Sequence, residues 1–182
     1  MTPERWTWIL NFAGFQVGWF ACVLGGAYDL GTAGACAGLL LLLAHLAKTP
    51  NRTAELKLIL CAGLLGTLFD IALIQIGAMR FQSSALGAGF APEWMIVLWM
   101  LFAATLNVSL DWLRRKLWLG TVAGAISGPL AYLAGERLGA MEVIDRQTLL
   151  LLLIVGWGTA VPLLAHLSTR FNGFATPAVY LK

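Results

Sequence analysis

The stretch LILCAGLLGTLFDIALIQIGA, residues 58–78, decides the fold. It is 21 residues long and carries one charged side chain, Asp70. As a helix it reaches across a hydrocarbon core about 30 Å thick. A strand with an open edge would leave unpaired amides in lipid, so a helix is required. Working outward, five more segments have the same character: residues 6–26, 30–47, 94–113, 117–135 and 149–168. The expectation is an all-α membrane bundle, one integral domain over residues 1–182 with six transmembrane helices.

Composition agrees. The chain is 59% hydrophobic and 12% charged, whereas a soluble domain carries roughly 25% charged residues. Its net charge of +3 is spread over short loops, which gives no footprint for nucleic acid. The polar lead before residue 6 is short. The apolar run that follows is longer than the roughly 7–15 residues of a cleavable signal, so a retained first helix is expected. Cys22, Cys36 and Cys61 fall inside apolar runs without paired spacing and read as small buried hydrophobes.

Direction follows from the basic residues. Nine of the twelve Lys and Arg fall on the N-terminus, the second and fourth loops and the C-terminal tail, against three on the other loops. The positive-inside rule then places both termini in the cytoplasm of a bacterial inner membrane. The longest loop, 80–93, carries Ser83, Ser84 and Phe90 and could close over the external face.

The second and fifth segments both open on Leu-Gly-Thr, at residues 30–32 and 119–121. The third and sixth each contain Gly-Thr, at Gly66-Thr67 and Gly158-Thr159. The first and fourth each hold Phe-Ala, at Phe12-Ala13 and Phe102-Ala103. This raises a 3+3 inverted repeat, a common transporter arrangement. Glycines at spacings of three and four, such as Gly120, Gly124 and Gly128, let helices approach closely and could also support a homo-oligomer.

Ionisable groups at membrane depth are costly, about 2.5–3.5 kcal/mol on insertion scales, and usually face the bundle interior. Asp70 is the clearest case. Gln16, Ser127 and Thr159 fall at similar depth and are expected to form a polar layer with it. A second layer toward the cytoplasm holds Asn11, His45, Asn107, Asp111 and His166. Pro129 and Pro162 free the carbonyls of Ala125 and Gly158 inside the bundle. No paired histidine or carboxylate spacing on one helix suggests a metal, and no nucleophile elbow or Walker loop is present. No metal or other cofactor is expected.

Three stretches carry a resemblance: LNFAGFQVGWFACVLG at 10–25, LFAATLNVSLDWL at 101–113 and GAISGPLAYLAGERLG at 124–139. They resemble the uncharacterised bacterial multi-pass membrane proteins of domain of unknown function family 2878. The resemblance implies an inner-membrane protein without an assigned activity and points to Asn11, Gln16, Asn107, Ser109, Pro129, Tyr132 and Gly135.

Three functions remain open from the sequence. One is a small transporter, permease or lipid-handling protein, with a lipid or small-molecule substrate in a polar cavity lined by Gln16, Asp70, Asn107 and Ser127. Another is an accessory scaffold without its own chemistry. The third is an enzyme acting on lipid through His45, Asp111 and His166, which requires those three to converge.

Overall fold

In a computed structural model, residues 3–82, 85–87 and 89–175 are described, with side chains from residue 7 onward. Ser83 and Ser84 therefore lie outside the described residues, while Phe90 is exposed. Six α-helices are present among them: α1 Pro3–Ala27, α2 Gly31–Lys48, α3 Arg52–Gln75, α4 Glu93–Ala103, α5 Leu117–Arg137 and α6 Arg146–Arg170. Two short strands, β1 Met79–Phe81 and β2 Met141–Val143, follow α3 and α5. All helices except α4 are long and apolar enough to cross a membrane. Their outward faces carry Leu40, Leu64, Leu130 and Val155, all exposed, as a lipid-facing surface requires.

The fourth segment departs from expectation. Its helix stops after 11 residues, and residues 104–110 run on as successive tight turns into a 3-10 turn at Asp111–Arg115. Thr105, Asn107 and Ser109 offer the backbone competing partners; the Thr105 hydroxyl already donates to the Phe102 carbonyl at 2.6 Å. Irregular backbone is tolerated at membrane depth only where protein surrounds it. Here Ala103 to Asn107 and Ser109 are all buried. Asn11 of α1 brackets the break. Its Nδ2 donates to the Ala104 carbonyl at 3.0 Å, and its Oδ1 accepts from the Ser109 hydroxyl at 2.6 Å and the Ser109 amide at 3.3 Å. Trp8 Nε1 donates to the Ser109 carbonyl at 2.8 Å. The first and fourth segments therefore do not match as an inverted repeat would have them, since α1 runs unbroken for 25 residues.

A different correspondence exists. α3 and α5 both end on Gly-Ala-Met, at residues 77–79 and 139–141. At each end the glycine adopts positive φ, 78° at Gly77 and 87° at Gly139. The following alanine amide closes back onto the helix, at 3.1 Å from Ala78 to Leu73 and 3.0 Å from Ala140 to Gly135. Glycine meets that left-handed helix stop without a Cβ penalty. The chain then enters β1 and β2, which pair antiparallel in a register symmetric about Arg80 and Glu142. An ion pair of 2.6 Å joins those two side chains. The third and fifth loops thus meet on one side of the bundle.

α1 packs on α2 and α5 on α6, with α4 enclosed by α1, α2 and α3. Gly25 and Gly34 allow close backbone approach, because a Cβ on Gly25 would meet the Gly34 Cα at 3.1 Å. Cys22 is buried there, donating its thiol to the Gly34 carbonyl. Cys36 is exposed and Cys61 half-buried, against the expectation that all three are interior.

Asp145 caps α6 through Thr148, accepting from its amide at 3.1 Å and its hydroxyl at 2.6 Å. The Thr148 hydroxyl, then its amide, hold this carboxyl below its ordinary value. A depressed folded-state value means the cap stabilises above the unfolded value, about 3.9, and is lost as pH falls through the folded one. Asp145→Asn should therefore lower thermal stability at pH 7, because the amide nitrogen cannot accept the Thr148 hydroxyl, and remove that part of the acid-induced loss. A wild-type acid profile in the Asn variant would contradict the cap.

Candidate functional site

Asp70 stands on the buried stripe of α3 that also holds Glu55, Leu58, Ile59, Ala62, Gly63, Gly66 and Leu73. Its carboxylate is fully buried. Trp99 Nε1 of α4 donates to Oδ2 at 2.9 Å, and the Tyr132 hydroxyl of α5 donates to Oδ1. One residue thereby joins three helices. Gly66, one turn before Asp70, makes the approach possible: a methyl there would lie inside the Trp99 indole. Trp99 stacks on Trp157 of α6 at 4.3 Å with 19° between planes, and Gly128 of α5 gives Trp157 its seat. Tyr132 and Phe102 meet Trp157 edge-on at 6.3 and 5.5 Å.

These rings form the wall of a cavity of about 550 Å³ between α1, the fourth segment and α5. Among the described residues ten of the 25 that line it are aromatic and none is charged, so it suits a neutral, largely hydrocarbon ligand. α1 and α5 scarcely touch. Phe20 and Leu130 on either side of the gap are exposed. The gap therefore opens through the side of the bundle. Gln16 and Ser127 line this mouth, on α1 and α5. Asp70 does not line the cavity; it sits behind Trp99 and Tyr132. The expected polar layer is thus split, and Thr159 points outward, bonded to the Val155 carbonyl at 2.8 Å.

Asn107 belongs elsewhere. Its Nδ2 donates to Glu55 Oε2 at 2.8 Å and to the Phe171 carbonyl at 2.9 Å. Both partners are acceptors, which fixes the orientation of the amide. Glu55 is fully buried. Its Oε1 lies 2.8 Å from His45 Nε2 and its Oε2 accepts the Gly173 amide at 3.1 Å. The cluster fastens residues 171–173 under the bundle, aided by a 2.9 Å bond from the Asn51 amide to the Gly173 carbonyl.

The remaining members of the second layer do not join it. Asn11 brackets the broken segment. Asp111 pairs with Arg114 at 3.2 Å, as neighbouring basic residues suggest. His166 is exposed. His45, Asp111 and His166 therefore do not converge, and among the described residues no group of three metal-ligating side chains occurs. The break after Ala103 also separates Asn107 from Asp111, which an unbroken helix would have placed on one face.

The fold and site together define a helical protein with five helices long and apolar enough to cross a membrane, in which a buried carboxylate locks the aromatic wall of a cavity open at the side of the bundle. Residues 8–163 match a family described as Protein of unknown function (DUF2878), and the chain belongs to that family. No curated protein and no solved structure matched the chain.

Proposed function

We propose that the protein is a lipid-handling protein of the bacterial inner membrane that admits a neutral, largely hydrocarbon ligand sideways between α1 and α5. In this reading the chain crosses six times with both termini cytoplasmic, and the broken fourth segment serves as one crossing. The distribution of basic residues supports that orientation.

The observation that carries the proposal is the uncharged aromatic cavity. Its volume of about 550 Å³ falls within the range of ligand pockets and holds roughly eighteen groups of water or methylene size. From Phe12 to Val23 its α1 wall runs about 16 Å, the length of one hydrocarbon chain. Gln16 and Ser127 would bind a hydroxyl or carbonyl on that ligand. Asp70 acts indirectly, holding Trp99 and Tyr132 in place. A scaffold role is the second reading, favoured by the donor found on each Asp70 oxygen.

A photoactivatable fatty alcohol in nanodiscs separates the two. Lipid handling predicts labelling of residues lining the cavity, reduced about five-fold in Ala131→Trp, which fills it. Labelling spread evenly over outward faces, unaltered in a folded Ala131→Trp variant, would favour the scaffold.

A further inference from the structure

A second cavity of about 300 Å³ lies on the opposite side of α1, toward the chain termini. Phe15 and Thr105 line both spaces and divide them. Its floor is apolar, formed by Leu41, Leu101 and Gly14. Its rim carries His45 and Lys48, one helical turn apart on α2. Lys48 has no ion-pair partner among the described residues. Glu55 engages His45 through Nε2, so Nδ1 is the ring nitrogen left for a ligand. Phe174 stands against the imidazole at 5.4 Å.

We propose that this cavity is a binding site for an anionic phospholipid of the leaflet on the side of the termini. The phosphate meets Lys48, His45 Nδ1 accepts from a headgroup hydroxyl, and the upper part of one chain lies along Gly14 and Leu41. Charge complementarity selects this occupant: among the described residues the exposed charge at the rim is a cation, Lys48, and the carboxylate of Glu55 is turned inward and consumed by His45, Asn107 and Gly173. Leu10, also lining the cavity, is exposed, so the floor continues into the bilayer. The site is independent of what fills the larger cavity.

Any interfacial lysine attracts anionic lipid, by about 1 kcal/mol, or roughly five-fold. The test must therefore separate a site from general attraction. Native mass spectrometry of detergent-purified protein would compare retention of phosphatidylglycerol and phosphatidylcholine with matched chains. The wild type should retain phosphatidylglycerol preferentially. Lys48→Gln should lower that preference by more than about ten-fold, while Lys57→Gln, on an exposed position of α3, should lower it by no more than the general five-fold. Gly14→Leu leaves every charge in place and fills the floor; nothing lies within 4 Å of a Cβ there, and a wild-type circular dichroism spectrum checks that the variant folds. It should abolish retention of both lipids at this site. Equal effects of Lys48→Gln and Lys57→Gln, or an unaltered preference in Gly14→Leu, would overturn the proposal. So would inorganic phosphate competing as well as the lipid.

Discussion

Glu55→Ala is expected to cost about 3 kcal/mol or more of stability, since each buried donor left unsatisfied costs about 1–3 kcal/mol, and to release residues 171–174 from the bundle. The carboxylate meets His45, Asn107 and the Gly173 amide, and removal leaves all three facing a void. The tail approaches this closely because residue 173 is glycine: a Cβ there would stand 2.6 Å from Glu55 Oε2. Glu55→Gln keeps one acceptor oxygen and should lose less than half as much. Denaturant unfolding in micelles gives the energies, and limited proteolysis of the tail reports its release. Wild-type unfolding together with a protease-resistant tail in Glu55→Ala would remove the cluster from the account.

The second large effect is expected at Gly66. Gly66→Ala places a methyl where the Trp99 indole lies. Overpacking costs about 1–3 kcal/mol, and a displaced Trp99 also withdraws a donor from buried Asp70, about 1–3 kcal/mol more. The sum is about 3 kcal/mol, with loss of the near-ultraviolet dichroism of the stacked Trp99–Trp157 pair. Gly14→Ala is the control, since its added methyl meets nothing within 4 Å; a helix gains up to about 1 kcal/mol from this exchange. A Gly66→Ala protein as stable as Gly14→Ala, with its tryptophan signal intact, would show that the notch does not hold the ring.

Much of the bundle is legible in the chain because lipid imposes length and hydropathy together. Residues 58–78 and 149–168 announce themselves, and α3 and α6 are found there. The fourth segment misleads because hydropathy counts side chains, whereas helix continuity depends on backbone partners. Nothing local in residues 104–110 says that Asn11 stands ready to accept and donate. Asn11 itself is flagged by depth, but its role depends on a contact 98 positions away. Glu55 is missed for the opposite reason. Its neighbours Arg52 and Lys57 make residues 48–57 look like a loop, although Glu55, Leu58, Ala62, Gly66 and Asp70 share one helical face that could have revealed it.

The aromatic wall is also partly visible. Trp99 and Trp157 fall well inside their spans, away from the interface where indoles prefer to lie, and that displacement signals an interior task. Asp70 is found by depth alone, but its partners are not. The Gly-Ala-Met pair escapes because an inverted repeat pairs spans of opposite direction, whereas α3 and α5 run the same way.

The bracket formed by Asn11 has a consequence for biosynthesis. Residues 104–110 cannot rest in lipid as a finished span, because part of their backbone finds partners only on α1. With the fourth segment as one of the crossings proposed above, α1 leaves the ribosome first and is waiting in the bilayer when that segment leaves the translocon. A circular permutant starting at residue 52 would reverse that order, holding the segment at the translocon until its partner is synthesised.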